Sequence, residues 1–180
     1  FPSDVILKTS ACIQYGSHCF PEYNGKGYGK IGYEDALRFS SNTFFYQVGV
    51  GVGSKALYKA ALQLGFDTRT GIEIGYEESK GLVGNEEWAA KGRGWGEPGM
   101  TPWIPEDIAS ASIGQSVVLV TPLQLARAYA VFANGGYLIT PHLVDGTRNW
   151  RSEKYLHKVD IQETTLETIR RGLRKVVTNG

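Results

Sequence analysis

Residues 120–136 read VTPLQLARAYAVFANGG, and this stretch specifies one helix together with its two ends. Thr121 is an N-cap residue, Pro122 suits the first helical position, and Gln124 completes a capping box. The Asn-Gly-Gly at residues 134–136 tolerates the backbone conformations that end a helix. Because the residues between these signals are apolar on nearly all sides, the sequence predicts a buried central helix.

The composition around this helix is that of one ordinary globular domain. The chain has 180 residues, of which 42% are hydrophobic and 21% charged, with 19 basic against 18 acidic side chains. This balance provides no basic field for nucleic acid. No apolar run approaches the ~18 residues that would span a bilayer. We therefore expect that this segment contacts neither nucleic acid nor membrane.

Along the chain, the pattern predicts a mostly helical fold with a few short strands. It divides into a loop-rich approach (1–33), helices around Ser-Ser-Asn (34–74), a Gly- and Trp-rich loop (75–105), and a last part (106–180). That last part holds the buried helix, an extended segment and a C-terminal helix. The predicted buried stripe of this last helix consists of Leu166, Ile169, Leu173, Val176 and Val177. Glycines predict a break between two helices near residue 53. A brief strand is predicted at residues 71–74.

The tripeptide Ser40-Ser41-Asn42 is the candidate for chemistry, and Phe44, Phe45 and Tyr46 follow it closely. It places a hydroxyl and a carboxamide two residues apart, which can relay a proton and hold a carbonyl group. Neither group is a nucleophile without an activating base. A structural interpretation is also available, since serine and asparagine are good N-cap residues for the helix that follows.

Cys12 and Cys19 lie seven residues apart, with His18 beside the second. They can be free thiols in a loop, or a local disulfide if the chain lies outside the cytosol. Together with His18 they offer one zinc ligand fewer than a closed tetrahedral site requires. The residues alone leave these alternatives open.

Several blocks of sequence resemble the class B penicillin-binding proteins, most closely those of the elongation type, penicillin-binding protein 2. The block at residues 36–49 is similar to the region of that family's second motif. Further similar blocks, in family order, are residues 64–73, residues 112–136 and residues 171–177. The resemblance covers most of the chain after residue 33.

The resemblance implies the helical subdomain, here incomplete, of the β-lactamase/transpeptidase-like α+β fold, in a partial transpeptidase domain. It also implies a serine D,D-transpeptidase that acts on D-Ala-D-Ala peptides of peptidoglycan, needs no cofactor or metal, and is trapped by β-lactams. Its implied partners are the stem peptide and the cell-wall elongation machinery. The implied location is the periplasm or the extracytoplasmic face of the cytoplasmic membrane, with the longer protein anchored by a segment outside this chain.

The family's site has three parts, and only the second is present here. By the resemblance, Ser40 relays protons and Asn42 is both catalytic and substrate-binding, while Ser41 is a packing residue. No lysine lies three residues after a serine or threonine, and no Lys-Thr-Gly or Lys-Ser-Gly occurs. We therefore expect the Ser-x-x-Lys before Phe1, the Lys-Thr-Gly after Gly180, and no acylation of this chain as it stands, because it holds no nucleophile of its own.

A second hypothesis comes from another class of protein. A non-catalytic scaffold with the same helical core can bind a partner or a glycan through Trp88, Trp95 and Trp103, although packing is the more common role of such residues. A serine β-lactamase is a third hypothesis, which the aromatic run and the Thr-Pro-Leu-Gln block do not favour. His142 and His157 have no evident catalytic partner and are interpreted as structural.

Overall fold

The computed structural model describes residues 2–74, 76–91, 103–144 and 155–179. Helices dominate these residues, as predicted, and none of those described is long and apolar enough to cross a bilayer. They are α1 (Tyr33–Phe39), α2 (Asn42–Gln63), α3 (Glu86–Ala90), α4 (Pro105–Ser112), α5 (Pro122–Ala133) and α6 (Glu163–Asn179).

The strands are short and pair two by two, always antiparallel. They are β1 (Leu7–Thr9) with β4 (Gly29–Ile31), β2 (Cys12–Tyr15) with β3 (His18–Pro21), β5 (Leu82–Val83) with β6 (Val118–Leu119), and β7 (Tyr137–Ile139) with β8 (Leu156–Lys158). Four of them lie in the segment predicted to be loops, because strands of three or four residues are too short to show an alternating pattern. Conversely, the strand predicted at residues 71–74 is irregular and ends in a turn, and Gly71 has a φ of 83°, outside the extended region that regular strands use.

The core nearest to the Ser-Ser-Asn segment is built on Phe44, in the first turn of α2. Phe44 is 0% exposed and packs with Ile31 of β4 and Ala36 of α1. The edge of one ring meets the face of the other where Phe44 contacts Tyr33, with centroids 5.1 Å apart. Helix α2 then bends at Gly53, whose φ of 81° and ψ of 165° are not helical. This bend is the predicted break between two helices.

Helix α6 packs on α1 through a close approach at Gly172. A Cβ at Gly172 would lie 2.5 Å from Leu37 Cδ1, so no side chain fits there without a shift. Arg171 Nε lies 2.6 Å from Glu34 Oε1 beside this contact. The predicted apolar stripe of α6 is correct at Leu166, which is fully buried, but wrong at Val177, which is 87% exposed.

Helix α5 begins with the predicted capping box. The Thr121 hydroxyl accepts a hydrogen bond from the Gln124 amide at 3.1 Å, and the Gln124 side chain accepts one from the Thr121 amide at 2.8 Å. The prediction of burial on all sides is wrong, since Leu125 is 44% and Tyr129 is 53% exposed. An apolar composition records what a helix can bury, whereas the contacts available to it decide which side is covered.

Replacing Gln124 by leucine is expected to lower the free energy of unfolding by about 3 kcal/mol, because each buried polar group left unpaired costs about 1–3 kcal/mol. Gln124 is fully buried, and its side-chain nitrogen also donates to the Thr68 carbonyl at 2.7 Å and the Lys80 carbonyl at 2.8 Å. Urea denaturation of the chain measures the change. The control is Leu125→Gln, on the exposed face of the same helix, and equal losses in the two variants would contradict the prediction.

Candidate active site

The Ser-Ser-Asn segment forms the tight connection between α1 and α2. Ser40 ends α1 in the left-handed conformation, with φ 52° and ψ 47°. Its amide bonds to the Leu37 carbonyl at 3.1 Å, and the Ser41 amide bonds to the Ala36 carbonyl at 2.9 Å. The chain therefore reverses within two residues, which leaves Ser40 exposed and Ser41 fully buried.

Ser41, the middle residue, caps helix α2. Its hydroxyl accepts a hydrogen bond from the Phe44 amide at 3.3 Å and donates one to Glu22 Oε2 at 2.6 Å. Sequence reasoning interpreted Ser41 as a packing residue; it is buried, and it is also the residue that performs the capping. Capping therefore accounts for Ser41 but leaves the side chains of Ser40 and Asn42 without this structural role.

Ser40 and Asn42 carry the two polar side chains that the turn leaves available. The Ser40 hydroxyl forms no hydrogen bond with the residues that the structure describes. The Asn42 carboxamide has one contact, from Nδ2 to the Pro21 carbonyl at 3.4 Å, which is long for a hydrogen bond of this type. The structure thus brings a hydroxyl and a carboxamide to one turn. Both groups can bind a ligand without breaking any hydrogen bond stronger than the long Asn42–Pro21 contact.

Glu22 is the polar residue at this turn that sequence reasoning missed. It is 3% exposed, and its carboxylate accepts hydrogen bonds from the Ser41 hydroxyl and from groups of Tyr23, Asn42 and Thr43. Burial alone raises the pKa of a carboxyl group, but these hydrogen bonds outweigh it and hold the pKa of Glu22 below its ordinary value. A single acid in a glycine-rich segment, 19 residues before the turn, gives no local signal of this role.

The β2–β3 hairpin carries Glu22 to the turn. Cys12 and Cys19 are joined by a disulfide across it, with Cα atoms 5.8 Å apart. Phe20 of β3 meets Tyr46 of α2 edge to face, with centroids 5.4 Å apart. Both cysteines are therefore engaged, and no group of three His, Cys, Asp or Glu within the described ranges is arranged to hold a metal ion.

Two tryptophans of the glycan-binding hypothesis, Trp88 and Trp103, fall within the described residues, and Trp88 lies in helix α3. Trp103 lines an apolar cavity of about 430 Å³ together with Leu57, Leu64 and other aliphatic residues, and Trp95 falls outside the described residues. A sugar needs hydrogen-bond partners as well as an aromatic face, and this lining is almost entirely apolar. The cavity therefore favours a packing role for Trp103 over a glycan site.

Comparisons with known proteins agree on one family. The family model described as the penicillin binding protein transpeptidase domain matches residues 2–180. The chain is 34% identical to the peptidoglycan D,D-transpeptidase MrdA of Acinetobacter baumannii over 131 residues, which are 73% of this chain and 18% of that protein. For MrdA of Haemophilus influenzae the identity is 34% over 136 residues, 76% of this chain and 20% of that protein.

Solved structures show the same likeness in three dimensions. The complex between penicillin-binding protein PBP2 and MreC from Helicobacter pylori contains a chain that this fold matches with a TM-score of 0.86. The sequence identity is 25%, and the match covers 99% of this chain and 32% of that one. The chain spans about a fifth of the length of the MrdA proteins that it matches.

Proposed function

Because this chain belongs to the penicillin-binding protein transpeptidase family, of the PBP2 type, we propose that it is a segment of a peptidoglycan D,D-transpeptidase carrying that enzyme's second catalytic motif. The observation that carries the proposal is that the three residues of Ser40-Ser41-Asn42 have different roles in the structure. Ser41 caps the helix, whereas the side chains of Ser40 and Asn42 remain available at the turn. A tripeptide serving only as a helix cap would not need a polar side chain at either flank.

The proposed chemistry is acyl transfer through a serine that lies in another part of the longer protein. There the serine oxygen attacks the carbonyl carbon of the D-Ala-D-Ala peptide bond, the C–N bond breaks, and the leaving nitrogen receives a proton. An amine acceptor then attacks the carbonyl carbon of the resulting ester, a new amide bond forms, and the serine hydroxyl is regenerated. Ser40 exchanges a proton between the lysine beside the nucleophile and that leaving nitrogen. Asn42 presents its carboxamide to an amide of the peptide substrate and holds it in the reacting orientation.

The proposed setting is the extracytoplasmic side of the cell membrane. The Cys12–Cys19 disulfide fits an oxidising compartment, since such bonds are rare in the cytosol. The PBP2 of Helicobacter pylori has been solved in complex with MreC. By analogy, the longer protein carrying this chain is proposed to act on peptidoglycan stem peptides, to be acylated by β-lactams and to work with the cell-wall elongation machinery.

Covalent labelling with a fluorescent penicillin tests this function. The 180-residue chain is expected to take no label that survives denaturation, because it contains no Ser-x-x-Lys. The longer protein is expected to be labelled, and an excess of unlabelled penicillin added first is expected to abolish the signal. A stable adduct on the chain alone would contradict its inactivity, and an unlabelled longer protein would favour the scaffold hypothesis.

A further inference from the structure

The carboxylate of Glu22 is bound almost entirely by the start of helix α2. Its Oε2 accepts from the Ser41 hydroxyl at 2.6 Å, the Thr43 hydroxyl at 2.7 Å and the Thr43 amide at 3.2 Å. Its Oε1 accepts from the Asn42 amide at 2.8 Å and the Tyr23 amide at 3.1 Å. Four of these five hydrogen bonds come from the three consecutive residues 41–43.

This arrangement satisfies the first amides of α2 from two sources. The Ser41 hydroxyl serves the Phe44 amide, as an ordinary N-cap does. The amides of Asn42 and Thr43 come earlier in the helix and have no partner within it, and Glu22 serves both. A negative charge also interacts favourably with the N-terminal end of the helix dipole. The capping residue and the buried acid together determine where the turn lies.

Glu22 is in turn held from its other side by the hairpin. Its amide bonds to the Ala11 carbonyl at 2.8 Å, and its carbonyl accepts from the Gly25 amide at 3.0 Å. The disulfide closes the hairpin just before Glu22, and Phe20 of the same hairpin contacts Tyr46 of α2. The carboxylate therefore joins a cross-linked hairpin to the Ser-Ser-Asn turn, rather than being a mobile side chain that happens to reach it.

We propose that Glu22 is a positioning residue, which sets the places of the Ser40 and Asn42 side chains by fixing the backbone of residues 41–43 from outside the helix. This inference rests on the proposed function. A catalytic constellation needs its groups held within about 0.5 Å. Here the Ser40 hydroxyl has no partner among the described residues, and the Asn42 carboxamide has one long contact to the Pro21 carbonyl. Rigidity at this turn must therefore come through the backbone.

The test uses Glu22→Gln, which keeps the shape of the side chain but removes the charge. The NH₂ group of the glutamine then faces either the Thr43 amide or the amides of Asn42 and Tyr23. Both groups are donors, and a backbone N–H cannot accept, so the hydrogen bonds on that side are lost. In NMR spectra of the 180-residue chain, the resonances of the Ser40 Cβ group and the Asn42 carboxamide are expected to shift. Thr43→Val, which removes only one hydroxyl bond to Glu22, is expected to shift the same resonances by less.

The matched control is Thr121→Ala, which removes the N-cap of another helix, α5. It is expected to lower the Tm of the chain and leave the resonances of Ser40 and Asn42 unchanged. In the longer protein, Glu22→Gln is expected to slow acylation by penicillin by about 10- to 100-fold at a temperature well below both Tm values, because misplacement by about 1 Å costs that much. Thr121→Ala is expected to acylate at the wild-type rate.

Two results overturn the role of Glu22. One is that the Ser40 and Asn42 resonances stay unshifted in both Glu22→Gln and Thr43→Val, and the other is that Glu22→Gln acylates at the wild-type rate. If the wild-type longer protein takes no penicillin label at all, the proposed function fails instead. The comparison of resonances on the 180-residue chain then still decides whether Glu22 positions the turn.

Discussion

Replacing Ser40 by alanine in the longer protein is expected to slow acylation by penicillin by about 10²- to 10⁴-fold, the range for removal of a proton-transfer group. The Tm is expected to stay near that of the wild type. Ser40 is exposed, forms no hydrogen bond with the described residues, and is already a non-glycine residue at φ 52°, so alanine adds no new backbone strain. Stopped-flow measurement of acylation, with a thermal melt of the same sample, gives both quantities.

The neighbouring serine provides the matched control. Ser41→Ala removes a buried hydroxyl that caps α2 and binds Glu22, and it is expected to lower the free energy of unfolding by about 1–2 kcal/mol. Ser40→Ala is therefore expected to lower the acylation rate without lowering stability, whereas Ser41→Ala is expected to lower stability first. Acylation of Ser40→Ala at the wild-type rate would remove Ser40 from the proposed mechanism.

Phe44→Ala is expected to lower the free energy of unfolding of the chain by about 3–5 kcal/mol, the usual cost of emptying a fully buried aromatic site. Phe44 is 0% exposed and packs against Ile31 and Ala36, with aromatic contacts to Tyr33 and Phe45. These neighbours come from β4, α1 and α2, so they cannot close the cavity without moving separate elements. Urea denaturation followed by circular dichroism measures the loss.

The control for Phe44 is Tyr23→Ala, which removes an aromatic ring that is 89% exposed. It is expected to change stability by no more than about 0.5 kcal/mol, as surface substitutions usually do. Phe44→Leu is expected to be milder than Phe44→Ala, because most of the volume is retained. If Phe44→Ala were as stable as Tyr23→Ala, the core would have to lie elsewhere than around this residue.

The elements predicted best from the sequence are those whose signals are local. Thr121, Pro122 and Gln124 lie within one turn of helix, and the capping box they predict is present. The break near Gly53 was also predicted, because glycine adopts a positive φ at little steric cost, and Gly53 does so with φ 81°. Helix α4 (Pro105–Ser112) was missed, since its alternation of alanine and serine shows too weak an apolar period to stand out from the adjoining loop.

In the candidate site too, only residues with a local sequence signal could be predicted. Ser40 and Asn42 were proposed from the tripeptide and from the resemblance of the surrounding blocks to the family. That family is confirmed, whereas the roles of the two residues stay predictions. Glu22 could not be predicted as a site residue, because its hydrogen-bond donors at the turn lie about 20 residues away and no periodic pattern connects them. The exposed side of α5 could not be predicted either, because the residues of one helix do not show which of its faces the neighbouring elements cover.

The amino-acid sequence alone therefore determined the family and the helical character, and it suggested the two side chains proposed for chemistry. These features depend on residues that are neighbours along the chain, where the spacing of residues fixes their relative positions. The tertiary structure decided which of the three polar residues at the turn caps the helix, which two side chains remain available, and which buried acid from a cross-linked hairpin bonds to residues 41–43. Those choices depend on contacts between distant segments, which form only when the chain has folded.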